Sequence, residues 1–302
     1  MKALLLAAFA LLLVPCHARD VLLHGKGRLV LWSDGEIKWE MPWGMIHDIH
    51  RGPDGQVFVQ RKMREVCEID PETKEVVWSY DASSNNGNGG KKIEVHAFQP
   101  LGYGKMMVAE SGPGRIIEID RDGKLLKEVK LKLDRPHPHR DTRLARKLEN
   151  GNYLVCHEGD GVVREYGSDG KVVWEFPVPL FGREPKGGHG PEAFGNQAFC
   201  ALRLKNGNTL VSTGNGHSVL EVTPGKEIVW KLEQSDLEGI TLAWVTTLQV
   251  LSNGNYVIGN CHAGPGQPQL VEVDPKTRKV VWQMDEFERF GNDVSNSLVI
   301  VE

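Results

Sequence analysis

The 302-residue chain has no Cys-x-x-Cys pair, no basic excess and no apolar run longer than Ala3–Val14. Each absence excludes something. Without closely paired cysteines there is no zinc-knuckle or dithiol redox signature. With 36 Lys and Arg against 40 Asp and Glu, the formal charge is −4. No positive surplus is left to displace counterions from a nucleic acid or to hold an anionic membrane surface. The apolar run falls short of the roughly 20 residues that span a bilayer, so no membrane span is expected. No 3.6-residue apolar period persists past the N-terminal segment, which leaves an all-β chain. Its 34 glycines fit many tight turns.

The N-terminal segment reads as a secretory signal peptide over residues 1–18. Lys2 supplies the positive end, Ala3–Val14 the apolar stretch, and Cys16-His17-Ala18 the small-residue cleavage site. Pro15 argues against lipid attachment at Cys16. Export to the periplasm or the medium after cleavage near Ala18 is the expectation. The mature chain, 19–302, keeps Cys67, Cys156, Cys200 and Cys261. These are either plain buried thiols or hold one disulfide, with Cys156 and Cys200 in neighbouring repeats the best-placed pair.

What the chain does contain is a repeat. Asp169-Gly170-Lys171-Val172-Val173-Trp174 is a turn feeding a strand that ends on tryptophan, and the pattern occurs six times. Its last positions are Trp39, Trp78, Lys127, Trp174, Trp230 and Trp282, so the steps are 39, 49, 47, 56 and 52 residues. Such a period, built from short strands, marks a β-propeller blade. Within each repeat a Gly turn (Gly55, Gly104, Gly151, Gly207, Gly254) joins an inner strand to a second strand, and an alternating third strand follows. The ends are incomplete in complementary ways. Ser297–Val301 aligns with an inner strand, while 21–24, 28–31 and 37–39 align with strands two, three and four. The expected fold is therefore a six-bladed β-propeller of four-stranded antiparallel blades, closed by one C-terminal strand joining three N-terminal strands. Closure of that kind leaves no open sheet edge. The recurring tryptophans are expected to wedge between adjacent blades.

Asp70-Pro71-Glu72-Thr73-Lys74-Glu75-Val76-Val77-Trp78 and Asp274-Pro275-Lys276-Thr277-Arg278-Lys279-Val280-Val281-Trp282 resemble the tryptophan-docking repeat of quinoprotein (PQQ) propellers, with Lys74 and Arg278 where that repeat has Gly. The blade endings, and the run Ile46-His47-Asp48-Ile49-His50 before Pro53-Asp54-Gly55, are similar to those of six-bladed bacterial arylsulfate sulfotransferases. That second resemblance implies sulfuryl transfer through a covalent histidine, for which His157 or His262 is the candidate nucleophile, with Arg61 and Arg143 as sulfate clamps. Quinoprotein dehydrogenases resemble larger eight-bladed propellers with vicinal cysteines. No Cys-Cys occurs here, so PQQ is not expected as a cofactor.

Topology places all the hairpin glycines at one end of the ring and the long irregular segments 81–92, 133–141, 176–196 and 236–244 at the other, where function on such scaffolds usually sits. Registered on the hairpin glycine, the position eight residues earlier is His47, His96, Arg143, Phe199 and Thr246, around the axis. The position six residues later is Arg61, Glu110, His157, Thr213 and Asn260, with His24 equivalent in the split blade. His262, Asn215, His217, His137, His139 and His189 lie in adjacent loops. The candidate ligand-binding set is His47, His96, Arg61, Arg143, Glu110, Asn260 and His24. Imidazole and guanidinium groups suit an anionic or sugar-like ligand, or a partner protein, on the loop face. The bland alternative is a channel lined by polar groups and water because the axis cannot be close-packed. His47/His50 and His137/His139 leave room for a metal ion, although no carboxylate-bearing metal motif surrounds them. A binding propeller, monomeric and without nucleic-acid partners, is the first reading and a sulfotransferase-like enzyme the second. A quinoprotein dehydrogenase ranks last.

Overall fold

The structure is a computed structural model that describes residues 19–300. Segment 1–18, expected to be a signal peptide, and Val301, the expected end of the last strand, lie outside the described residues. The chain begins with β1 (Asp20–Gly25), β2 (Arg28–Ser33) and β3 (Glu36–Pro42). Blade two is β4 (Ile49–Arg51), β5 (Val57–Arg61), β6 (Glu65–Ile69) and β7 (Val76–Asp81). Blade three is β8 (Glu94–Gly102), β9 (Lys105–Ser111), β10 (Arg115–Ile119) and β11 (Leu125–Lys130). Blade four is β12 (Ala145–Lys147), β13 (Tyr153–His157), β14 (Val162–Tyr166) and β15 (Val172–Pro177). Blade five is β16 (Cys200–Arg203), β17 (Thr209–Ser212), β18 (Ser218–Val222) and β19 (Ile228–Glu233). Blade six is β20 (Trp244–Val250), β21 (Tyr256–Cys261), β22 (Leu270–Asp274) and β23 (Lys279–Met284). The last strand, β24 (Ser297–Ile300), then returns to β1.

The six sheets each hold four antiparallel strands, and the closing blade runs β24-β1-β2-β3. Asp20 pairs with Ile300, Val21 with Val299, Leu22 with Leu298 and Leu23 with Ser297. The expected six-bladed ring and its split closing blade are both present. The core lies between blades. One buried group, for example, gathers Met107 and Ile116 of blade three, Tyr153 of blade four, Leu210 of blade five and Ile258 of blade six.

A second periodicity appears only in three dimensions. In every blade the pairing of third and fourth strands slips by one residue at the same place, between Leu31/Trp32, Glu68/Ile69, Glu118/Ile119, Glu165/Tyr166, Glu221/Val222 and Glu272/Val273. Just before each slip, the third-strand residue faces the repeat's terminal position: Glu68 faces Trp78, Glu165 faces Trp174 and Glu272 faces Trp282. A bulge re-aims the side chain beside it. Here the indoles reach the next blade: Trp39 Nε1 donates to the Pro71 carbonyl at 2.7 Å, Trp78 to Arg121 at 2.6 Å, Trp174 to Pro224 at 3.1 Å and Trp230 to Pro275 at 2.8 Å. The expected role of tryptophan as the joint between blades is met for these four. Lys127, which takes the place of tryptophan, sets its Nζ 5.3 Å from the Tyr153 ring of the next blade, so a cation–π contact stands where the others use an indole.

The facing carboxylates are also held. Glu165 Oε1 accepts from Asn152 Nδ2 at 2.6 Å and Oε2 from Arg203 of the following blade, also at 2.6 Å. Asn208 and Asn255 do the same for Glu221 and Glu272. In blades four, five and six the Asn that follows the hairpin glycine therefore buttresses its own blade. Lys74 and Arg278 have φ of 61° and 58°. They occupy the left-handed conformation that explains glycine at these positions of the related repeat, at a cost of about 1–2 kcal/mol each.

Cys67, Cys156, Cys200 and Cys261 are free, buried thiols. Burial pushes Cys67 and Cys200 up to about 12 and raises the other two as well. At pH 8 a thiol of that kind is about one part in ten thousand thiolate, the reactive form. Iodoacetamide should therefore leave these four cysteines unlabelled in the native protein and alkylate all four in guanidinium, as read by peptide mass spectrometry. Fast native labelling of any of them would show that its blade opens.

Candidate functional site

The inner row of sequence candidates meets on the axis at the loop end. The His47 and His96 rings lie 4.9 Å apart, edge to face, and His47 is 6.2 Å from Phe199. The Arg143 guanidinium carbon is 5.7 Å from the Phe199 ring. Consecutive blades two to five thus each contribute one side chain to a contiguous arc. Two of the row's members sit where an inner strand bulges: His96 between Val95 and Ala97, and Thr246 between Val245 and Leu248. These irregularities turn side chains toward the axis that a regular pleat would direct elsewhere.

His47 is fixed by its backbone. Gln60, wholly buried on β5, accepts from the His47 and Asp48 amides at 3.1 and 2.9 Å. Asn296, just before β24, donates to the His47 carbonyl at 3.1 Å. Asp48 accepts two contacts from Arg146 at 2.7 and 2.8 Å, and one from the Phe98 amide at 3.1 Å. The His47 ring, 8% exposed, finds no hydrogen-bond partner among the described residues for either nitrogen. Thr246 Oγ1 and His24 Nδ1 are buried and unpartnered as well. Buried polar atoms without partners each cost about 1–3 kcal/mol. Burial holds the His47 pKa well below its ordinary value, reinforced by His96, Arg143, His139 and His24.

Around this ring the other polar groups are engaged. His96 Nδ1 meets the Thr142 carbonyl at 2.9 Å and Nε2 meets Glu94 at 2.8 Å. His139 Nδ1 meets the same Glu94 oxygen at 2.7 Å. Glu94, His96 and His139 thereby bring three metal-ligating atoms within 4.8 Å of one another. Burial, then Arg143, lowers His96 to about 4. Arg143 pairs through Nε with the buried Glu158, and its Nη1 and Nη2 reach His96 and His139 at 3.2 Å.

The outer row has a different position. Glu110 accepts from Asn88 at 3.0 Å and Arg115 at 2.6 Å. His157 Nδ1 meets the Asp141 carbonyl at 2.6 Å and its Nε2 meets Tyr166 Oη at 2.8 Å. Asn260 accepts from the Ala243 amide at 2.9 Å and donates to the Thr241 carbonyl at 2.9 Å. Each of these three fastens the long loop that arrives from the preceding blade. Arg61 is paired side-on with Glu65 at 2.8 and 2.7 Å, and His24 Nε2 lies 3.2 Å from the Trp43 carbonyl. His262 stands in a separate loop cluster, its Nδ1 3.2 Å from Asp293 and its ring 5.3 Å from His189. The structure thus brings together His47, His96 and Arg143, and holds Arg61, Glu110, Asn260, His157 and His262 in local contacts of their own.

Glu94, Glu158 and Asn296 are site residues that the sequence register did not bring out. Asn296 was within its reach: extending the alignment of β24 with β20 by one position makes Asn296 equivalent to Thr246, which completes the inner row in the closing blade.

Six blades, four of them joined to the next by a tryptophan, define a PQQ-like repeat β-propeller. The chain belongs to the family described as outer membrane protein assembly factor BamB, which matches residues 25–301. A protein of unknown function from Bacteroides caccae superposes with a TM-score of 0.76 at 24% identity, over 94% of this chain and 100% of that one. A catalytically inactive virginiamycin B lyase from Staphylococcus aureus with quinupristin gives 0.57 at 11% identity, over 90% and 85%. The WD40 propeller of Doa1 gives 0.53 at 14%, over 81% and 86%. At these identities the likeness is one of fold. No curated protein matches the chain. Among the described residues, no helix is long and apolar enough to cross a membrane.

Proposed function

We propose that this is an exported binding propeller that takes a small, uncharged, hydroxyl-rich ligand of the sugar type at the loop end of its axis. The observation that carries the reading is His47: a rigidly held backbone, a buried ring, and two unpartnered nitrogens. A neutral imidazole offers one donor and one acceptor, and a hydroxyl group complements both. The charges favour this choice over an anion. Arg143 is already paired with Glu158 and Arg61 with Glu65, and Glu94 adds a further carboxylate beside the ring. Export rests on the N-terminal segment and agrees with membership of a family named for outer-membrane assembly.

Calorimetric titration with a panel of mono- and disaccharides, with inorganic sulfate as the charged control, tests the proposal. A sugar should bind the native protein, and the affinity should fall about tenfold or more in His47→Met, the loss of one or two buried hydrogen bonds. The same variant should be no less stable than wild type, because it removes two unpartnered polar atoms. Binding of sulfate in preference to every sugar, or unchanged sugar affinity in His47→Met, overturns it.

Group transfer through a covalent histidine is the second reading, and one contact favours a particular residue. A nucleophilic imidazole needs one nitrogen oriented and the other free. His157 has both nitrogens engaged, whereas Asp293 faces His262 Nδ1 and Nε2 has no partner among the described residues. Turnover of 4-nitrophenyl sulfate that disappears in His262→Ala would support it, and an inert wild-type protein would remove it.

A further inference from the structure

His96 is flanked by an acceptor on each side of its ring. Its Nδ1 faces the Thr142 carbonyl oxygen at 2.9 Å and its Nε2 faces Glu94 Oε2 at 2.8 Å. Both partners are acceptors with no proton to give. A ring carrying one proton satisfies one of them, and its other nitrogen faces both an oxygen and the Arg143 Nη1–H. A ring carrying two protons would place a second buried positive charge against the Arg143 guanidinium, whose Nη1 is 3.2 and 3.3 Å from the two nitrogens.

A cation between Nε2 and Glu94 suits both acceptors. The ring then donates Nδ1–H to Thr142 and gives the Nε2 lone pair to the ion. Metal-bound histidines adopt this arrangement, with a carbonyl behind the ring fixing tautomer and orientation. His139 Nδ1 already lies 2.7 Å from the same Glu94 oxygen, and its ring stands 5.2 Å from His96 at 89°, so the two rings approach one point from different directions. His139 is exposed, which gives an ion a path from solvent. The ring of His47, 4.9 Å from His96 and with neither nitrogen partnered among the described residues, is an independent sign that this spot takes a ligand.

We infer that Glu94, His96 and His139 form a binding site for a divalent late first-row metal ion of the zinc type. Two imidazoles and one carboxylate are a borderline donor set. It suits zinc and its neighbours, and disfavours magnesium or calcium, which ask for six or more oxygens. Three protein ligands leave a fourth position for water or for a ligand hydroxyl, with His47 alongside to accept a hydrogen bond from either. At metal–nitrogen distances of about 2.0–2.1 Å, tetrahedral donors stand roughly 3.3 Å apart. The donors here need to separate by about half an ångström, a movement within reach of the half-buried Glu94 side chain. Around the ion, Glu94 and Glu158 outnumber Arg143 by one charge, so the site as a whole favours a cation.

The inference does not depend on the sugar reading, and its test separates the two. The full mature chain is dialysed against EDTA and then titrated calorimetrically with zinc chloride, with magnesium chloride as control. One equivalent of zinc should bind and magnesium should not. Affinity should fall about tenfold or more in His139→Ala and in Glu94→Gln. Both positions are partly exposed, and circular dichroism verifies that the variants fold. Cobalt(II) should give a visible absorption band that the same variants lose. His47→Met should keep zinc while losing any sugar. Absence of stoichiometric zinc binding in the wild type, or unchanged affinity in both ligand variants, overturns the inference.

Discussion

Replacing Asp48 by asparagine should cost about 3–5 kcal/mol of stability, more than any other single polar change in this molecule. The carboxylate is fully buried and accepts from Arg146 at 2.7 and 2.8 Å, from its own neighbour Ile49 N at 3.0 Å and from Phe98 N at 3.1 Å. Those contacts tie blade two to blades three and four. Burial opposes the charge, but Arg146 and then His50 outweigh it and hold the carboxyl down at about 2. Asparagine keeps the shape and removes the charge, which leaves the Arg146 guanidinium uncompensated. In a chain of this size the loss corresponds to roughly 10 °C in Tm. The double variant Asp48→Asn/Arg146→Met should recover part of the loss, because the orphaned charge goes with it. Urea melts decide the matter. An Asp48→Asn protein within 1 kcal/mol of wild type would mean that the carboxylate is not the knot described above.

The second large effect is acid destabilisation through His157. Burial, helped by Arg164, lowers this group from 6.5 to about 4. The unfolded chain therefore takes up the proton first as the pH drops. The neutral folded form holds its full advantage above pH 6.5, loses it between 6.5 and 4, and loses no more below that. From pH 7.5 to 4.5 the difference is about 2.5 kcal/mol from this residue alone. His47, His96 and His24, each lowered first by burial, act in the same direction. Urea unfolding at the two pH values, with EDTA present to remove ions, should show the steeper loss in wild type and a shallower one in His157→Gln. Equal slopes in the two proteins would refute the assignment.

The fold was legible because its determinants repeat. Six turn-and-strand units, five of them ending on tryptophan, fix the blade count, and the missing strands at the two ends predict the seam between β1 and β24. The inner row of the site was legible for the same reason, since register alone carries His47, His96, Arg143, Phe199 and Thr246 to equivalent points around an axis. What register could not carry is whether a side chain is free. His157 carries the same imidazole as His47 and His96, but it and Glu110 are engaged by loops whose course no strand pattern specifies. The two resemblances drawn from sequence part company on the same ground. The quinoprotein-type repeat is a property of the blades, and family membership agrees with it. Sulfuryl transfer depends on which groups the loops leave unoccupied. Glu94 and Glu158 look like surface charges in sequence, and only the fold sets them against His96 and Arg143.

The seam has a consequence for the time course of folding. Pairing Leu22 with Leu298 closes a loop of 276 residues (298 − 22), against a handful for each hairpin inside a blade. Chain entropy charges about 5 kcal/mol for a closure of that length, and contacts so distant form slowly. While the chain is being made, β1 waits with its outer edge unpaired until β24 emerges. Through that interval the molecule is an open arc that can zip to another copy of itself. The four residues of β24 therefore decide how much of the protein reaches the ring at all.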